Sequence, residues 1–460
     1  MQLTAQPRLD KRAAQIARRI EADIIRRGWP IGESLGSEQA LQERYQVSRS
    51  VLREAVRLVE HHQVARMRRG PGGGLLICEP DAAAATKAVV IYLEYQGTTI
   101  DVLLNARLLL EPLAAVLAAE RIDEAGIARL RAVLSTASQR EFHTALAEQS
   151  KNPALQLFID ILMRLTAQFA RGSRADPAAL DRTRTEHAEI VAAVTAGDSA
   201  RAQTLSERHI ESVTTWLRRH RKPSRPRRPT PDTTAAKRAE VVAAAIRDDI
   251  AASGWQVGSI FATEAQLLER YRVSRSVLRE AVRLLEYHAI ARMRRGPGGG
   301  LVVGKPQAQA SIDAIALYLQ YRQPNSDDLR LVRDAIEIDN VAKVVGRHDT
   351  GEVRAFLDTH RQLIEETGDD PRKAGMEEFL FHSGMAQLAG NAVLDLFLRI
   401  LVELFRRQWA ATEQKLPSRN DFADVQHAHR RIIEAIADGD DSLARHRVRR
   451  HLDAAASWWL

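Results

Sequence analysis

The strongest constraint on this chain is that it contains itself twice. The stretch RYQVSRSVLREAVRLVEHHQVARMRRGPGGGLLI begins at Arg44 and returns as RYRVSRSVLREAVRLLEYHAIARMRRGPGGGLVV at Arg270, an offset of 226 residues. The same offset relates Lys11-Arg12 to Lys237-Arg238, Gly28-Trp29 to Gly254-Trp255, and Arg107 and Glu111 to Arg333 and Glu337. So long a period is not that of a solenoid, whose modules run roughly 20 to 50 residues. A whole two-part unit is duplicated, and each half is expected to fold separately. At 460 residues the chain also exceeds the roughly 100 to 200 of one ordinary domain. Between the halves, residues 220–234 read HRKPSRPRRPTPDTT, where four prolines and a run of arginines preclude helix and favour an extended basic tether.

Aromatic residues make up only 5% of the chain, and Ala, Leu and Arg are abundant, so a mainly α protein is expected. The formal charge of +8 and a pI near 9.8 suit a polyanionic partner. Cys78, the single cysteine, has no partner for an internal disulfide. The opening residues MQLTAQPRLDKRAA lack the apolar core of a signal peptide, and no run reaches the roughly 18 uninterrupted apolar residues of a membrane span. A cytoplasmic protein is expected, with no membrane partner.

In the first copy, helix up to Arg27 meets the turn Gly28-Trp29-Pro30, Ser37-Glu38 opens a short second helix ending near Tyr45, and Ser48 caps a third. Leu52, Ala55, Val56 and Val59 recur at helical spacing and mark its buried face. On the opposite face, near the amino end, lie Arg49, Ser50 and Arg53, where a helix in the major groove presents side chains to bases and phosphates. A guanidinium there donates two parallel hydrogen bonds to guanine or clamps a phosphate. Ala65 to Arg69 then alternates like a strand, Gly70 to Gly74 (GPGGG) turns, and Leu75 to Ile77 returns, making a β-hairpin wing. Its glycines let backbone approach DNA. A phosphate loop is the competing reading of that glycine run, but neither copy contains GxxxxGK[ST].

These heads resemble the GntR superfamily of regulators through Gly28-x-x-x-Gly32, Ser37-Glu38-x-x-Leu41 and Val47-Ser-Arg-Ser-Val-Leu-Arg-Glu-Ala55, with Thr263-Glu264-x-x-Leu267 and Val273 to Ala281 in the second copy. The resemblance implies that Arg49, Ser50, Arg53 and wing residues Arg69 and Gly70 contact DNA, and that Arg275, Ser276, Arg279, Arg295 and Gly296 do so in the second head. Two departures stand out: Gly36 and Ala262 replace the family's proline, and Gln39 and Ala265 replace a DNA-contacting arginine.

An Ala- and Leu-rich region follows each head, and helix bundles are its natural packing. In the second, Glu378 and His382 are four apart on one helix face, and His429 and His451 follow. Three imidazoles and a carboxylate suit zinc, nickel or manganese, while hydrogen-bonded core histidines are the plainer alternative. The region is similar to the ligand-binding (FCD-type) domain of the FadR subfamily, in which Asp-x-x-Phe-His precedes two later histidines; Glu378-Phe-Leu-Phe381-His382 matches it with glutamate for aspartate. The resemblance implies a divalent metal, and a small-molecule carboxylate effector for which Arg333 (and Arg107 in the first half) is available; an intrahelical Arg333–Glu337 pair is the alternative. The first half keeps His143, His187 and His209, the last two 22 residues apart like His429 and His451, but Gln139 stands at the carboxylate position. Arg107 to His143 spans 36 residues against 49 from Arg333 to His382, so a loop or helix turn is missing and the first bundle reads as partly degenerate.

The expected organisation is a winged helix-turn-helix domain at 9–78, a helical domain at 85–219, the tether, a second winged domain at 235–304 and a second helical domain at 310–458. The function expected is that of an effector-responsive repressor bound to a double-stranded DNA operator. One chain is expected to serve as a pseudo-dimer on a pseudo-palindrome, with further oligomerisation left open. A metal-dependent enzyme fused to DNA-binding heads, and an architectural DNA-bridging protein, are the competing classes.

Overall fold

Two serines start the helices of the first head. Ser37 and Ser48 sit in extended backbone and accept hydrogen bonds from the N–H groups of Ala40 and Val51, opening α2 (Glu38–Tyr45) and α3 (Arg49–His61) after α1 (Lys11–Arg26). Gln46, in the left-handed region at φ 54°, ends α2 and turns the chain into α3. Leu52, Ala55 and Val59 of α3 pack with Ile16, Ile20, Leu41 and Leu75 in one core. The wing is β1 (Ala65–Arg68) antiparallel to β2 (Gly74–Ile77), with Arg68 opposite Gly74. At its tip Gly70 has φ +96°, a conformation that side-chain-bearing residues rarely adopt.

The computed structural model describes residues 11–68, 70, 73–136, 139–170, 177–220, 235–368, 370–412 and 419–459. Residues 221–234 of the expected tether lie outside these, as does Arg69. After the first head come α4 (Ala82–Tyr95) and a bundle of α5 (Ile100–Arg121), α6 (Glu124–Thr136), α7 (Gln139–Gln149), α8 (Pro153–Ala170), α9 (Pro177–Thr195) and α10 (Ser199–His220). The second head is α11 (Ala235–Ala252), β3 (Ile260–Ala262), α12 (Glu264–Tyr271), α13 (Arg275–Tyr287), β4 (Ala291–Arg294) and β5 (Gly300–Val303). Its three strands are ordered β3-β5-β4. Then follow α14 (Ala308–Arg322), α15 (Ser326–Val345), α16 (Gly351–Thr367), α17 (Pro371–Ala389), α18 (Ala392–Thr412), α19 (Arg419–Ala437) and α20 (Asp441–Trp459). The fold is mainly α, as expected. By length and composition α5 is apolar enough to cross a membrane, yet it is mostly buried and serves as a core helix.

The halves do not keep separate cores, which departs from the expectation of independent folding. A single apolar cluster runs from Leu103 and Phe158 of the first bundle to Leu329 and Phe397 of the second. Phe158 and Phe397 occupy equivalent positions and stack on each other, 4.0 Å between centroids and 4° from parallel. Asn152 donates its side-chain N–H to the backbone oxygen of Asp328 at 2.9 Å, and the equivalent Asn391 donates to that of Val102 at 3.1 Å. Contacts that repeat with the halves exchanged are those of a twofold dimer, here within one chain.

The heads are also exchanged. Leu317 of α14 is buried in the core of the first head, and Tyr321 of the same helix packs on Trp29 at 5.4 Å. Reciprocally, Ile91 of α4 completes the core of the second head, and Tyr95 packs on Trp255 at 5.4 Å. Each head therefore rests on the connecting helix of the other half, and α4 and α14 pack on one another.

Candidate DNA interface and metal centre

Arg49, Ser50 and Arg53 are exposed at the amino end of α3, and Arg275, Ser276 and Arg279 hold the same positions on α13. In the first head Arg49 and Arg53 both donate to Glu38 Oε1, at 3.1 and 3.0 Å. Such solvent-exposed ion pairs are weak, so phosphate or guanine can take these guanidinium groups over. Gly70, Arg295 and Gly296 are exposed at the wing tips, and Gly296 repeats the left-handed φ at +95°.

The second bundle brings its four expected ligands together. Side-chain donor atoms of Glu378, His382, His429 and His451 all lie within 4.8 Å of one another. His382 Nε2 is 3.0 Å from His451 Nε2, and His429 Nε2 is 3.1 Å from Glu378 Oε2. The ring nitrogens turned away from this point meet other carboxylates. Glu337 of α15 pairs with His382 Nδ1, and Glu377 pairs with His429 Nδ1 at 2.9 Å. Such outer carboxylates fix the tautomer and aim Nε2 inward. Phe381 stacks on His429 at 4.1 Å. Burial opposes charge on His382, but the carboxylates of Glu337 and Glu378 outweigh it and push the imidazole up to about 10. Glu378 Oε2 and His429 Nε2 are buried without a directed hydrogen bond, as a pair of unused metal ligands would be.

The first bundle repeats this in reduced form. His209 Nε2 lies 3.2 Å from His187 Nε2 and 3.4 Å from His143 Nε2. Glu111 pairs with His143 Nδ1 at 2.6 Å and Glu186 with His209 Nδ1 at 2.7 Å. The side chain of Gln139 lies outside the described residues. Burial outweighs the Glu111 carboxylate and lowers His143 to about 4, and burial likewise lowers His187. Most of the missing length sits at the amino end of α7, which starts four residues before His143, whereas α17 starts eleven before His382; α6 is also shorter, 13 residues against 17 in α16. α7 thus begins at Gln139, the position that Glu378 holds in the second half.

Two findings modify the expected effector sites. Arg333 is buried and already paired, with Asp334 at 3.2 Å and Glu337 at 3.8 Å, and Arg107 donates to Glu111 at 2.5 Å. Both arginines nevertheless line cavities. Arg333 borders one of about 390 Å³ with Glu378, His382, Arg399 and Glu403. Arg107 borders a larger one of about 1010 Å³ with Arg140, Thr166, Ser212 and Trp216. The outer carboxylates Glu337, Glu377, Glu111 and Glu186 escape the sequence reading. Glu337 and Glu111 are visible there only as the ends of Arg-x-x-x-Glu pairs, and Glu377 and Glu186 only as neighbours of a ligand.

This combination is the build of a winged helix-turn-helix transcription regulator, present in duplicate on one chain. The family model for "Bacterial regulatory proteins, gntR family" matches residues 12–74 and 238–301, and that for the FCD domain matches 102–212 and 328–454. The chain belongs to the GntR family, with an FCD domain behind each head, and is a DNA-binding transcription regulator. It is similar to the HTH-type transcriptional regulator LutR of Bacillus subtilis (strain 168), 30% identical over 199 residues that cover 40% of this chain and 90% of the relative. The Uxu operon transcriptional regulator of Escherichia coli (strain K12) is 25% identical over 241 residues, 48% of this chain and 86% of the relative. Among solved structures, a GntR protein of Streptococcus agalactiae aligns with 44% of this chain and 99% of its own, at 24% identity and a TM-score of 0.34.

Proposed function

We propose that one chain grips a pseudo-palindromic operator with both heads and acts as an effector-responsive repressor. The reciprocal packing about Phe158 and Phe397 carries this reading, because it relates the two heads as the subunits of a dimer would be related. The recognition segments from Val47 to Arg57 and from Val273 to Arg283 are identical, so the two half-sites are nearly alike. Arg49, Ser50, Arg53 and the Gly70 wing read one, and Arg275, Ser276, Arg279, Arg295 and Gly296 read the other. Salt dependence tests this: each phosphate contact contributes a slope of roughly −0.9 in log affinity against log salt. A palindrome should therefore show about twice the slope of a single half-site. Equal slopes on the two duplexes would mean that one head suffices.

In the second bundle, Glu378, His382, His429 and His451 hold a divalent cation such as zinc, nickel or manganese. The converging, undirected Glu378 Oε2 and His429 Nε2 support this donor set. A bound cation supplies a fixed positive charge for a small carboxylate effector, and Arg333 lies on the same cavity wall. Metal loading must be pH-dependent. With His382 raised to about 10 by Glu337 and Glu378, its ring is protonated in the metal-free protein at neutral pH, and ligation must expel that proton. Nickel affinity measured by calorimetry should fall about tenfold from pH 7.5 to 6.5, with about one proton released per ion. Affinity independent of pH, with no proton release, would contradict this donor set.

A further inference from the structure

The second bundle and the first head meet at one guanidinium. Glu403, on the wall of the 390 Å³ cavity, accepts hydrogen bonds from Arg406 Nε at 2.8 Å and from Arg407 Nε at 2.7 Å. Arg407 turns its other nitrogens away from the cavity: one donates to Asp313 of α14 at 2.6 Å, and one forms an ion pair with Glu21 of α1 at 3.7 Å. Glu21 is buried, and its second oxygen pairs with His62 Nδ1 at 2.6 Å. His62 is the residue that ends the recognition helix α3. A continuous line of ionic contacts thus runs from the cavity wall to the first head, with three carboxylates around one guanidinium.

The second head carries different charges at the matching positions. Arg247 stands where the first head has Glu21, and it meets Glu94 of α4 at 3.4 Å and Asp248 at 2.8 Å. Arg164 stands where the second bundle has Glu403, and it pairs with Asp160 at 2.8 Å. The charges at both ends of the route are reversed, so the carboxylate–guanidinium–carboxylate order of the first head is not repeated at these positions.

We propose that events in the second bundle's cavity are transmitted to the first head alone, through Glu403, Arg407 and Glu21. The proposal rests on reading that cavity as the effector site. The physical reason is that a buried charge cannot be left unpaired cheaply. An anion that draws Arg406, itself on the cavity wall, away from Glu403 leaves that carboxylate to hold Arg407 more tightly. Arg407 then gives up part of its hold on Glu21, and the seat of the first head loosens. The chain becomes a two-headed clamp with one governed jaw.

The wiring is testable without the effector. Hydrogen exchange would be followed in the full chain carrying Glu403→Gln, Arg407→Met or both. The peptide covering residues 49–62 should exchange about threefold faster or more with Arg407→Met and more slowly than in the unaltered chain with Glu403→Gln, which frees Arg407 for Glu21, while the double variant should match Arg407→Met alone. Residues 275–288 serve as the internal reference and should exchange as in the unaltered chain. Equal acceleration in both heads, additive effects, or an unchanged or faster-exchanging 49–62 peptide in the near-isosteric Glu403→Gln would overturn the proposal. Nickel titration of the unaltered chain judges the metal-site reading separately: absence of binding sinks that reading, while the exchange pattern still decides the wiring.

Discussion

Alanine at both Arg275 and Arg279 is expected to lower the affinity of the whole chain for its palindrome by about 30-fold to 10⁴-fold, from roughly 1–3 kcal/mol for each arginine placed on a base pair or phosphate. Both side chains are exposed at the amino end of α13, so their removal leaves the core around Leu278, Ala281 and Leu285 intact. The mirror variant, Arg49→Ala with Arg53→Ala, should lose a comparable amount, reduced slightly because those guanidinium groups must first leave Glu38. Titration of labelled duplex at fixed salt measures both. If the second-head variant binds the palindrome within about threefold of the unaltered chain, that head takes no part in the complex.

The second large effect comes from the exchanged heads. Leu317 is fully buried in the core of the first head although it belongs to the second half of the sequence. Leu317→Ala removes that side chain from a packed site and should cost about 2–5 kcal/mol. The loss should appear in residues 11–77 as faster exchange and earlier proteolysis, not in the second head, which Leu317 follows in sequence. Ile91→Ala should produce the converse, loosening residues 238–303, because Ile91 completes the second head. Destabilisation of the head on the same half in either case would contradict the exchanged packing.

Much of this was legible in the sequence because its signals are local. Ser48 followed by Leu52, Ala55, Val56 and Val59 encodes a capped helix with one buried face, and GPGGG encodes a wing tip, without reference to the rest of the chain. The grouping of the four candidate metal-binding residues was legible for a similar reason: Glu378 and His382 lie one turn apart on a single helix, and His429 and His451 keep the spacing of the first half. Glu337 was not, because its partner His382 lies 45 residues away and meets it only where α15 and α17 pack. The reading of Arg333–Glu337 as a simple intrahelical pair was sound but incomplete, since the same carboxylate also orients an imidazole.

The exchange of heads has no local signature at all. Leu317 and Tyr321 are apolar positions on a helix that must pack somewhere, and nothing in their periodicity says that the partner is Trp29 of the opposite half rather than Trp255 of their own. The duplication announces two equivalent units; only the tertiary structure shows that they are built through one another. The asymmetric charges are the reverse case. Glu21 against Arg247 and Glu403 against Arg164 are visible in aligned halves, but their meaning depends on which elements come into contact.

The most direct test of the central claim is the mass of the protein–operator complex, measured by native mass spectrometry on a palindrome selected from random duplexes. One 51.3 kDa chain per duplex, with both heads required for full affinity, is the predicted result. Two chains on each palindrome, each using a single head, would contradict the account of one polypeptide spanning both half-sites.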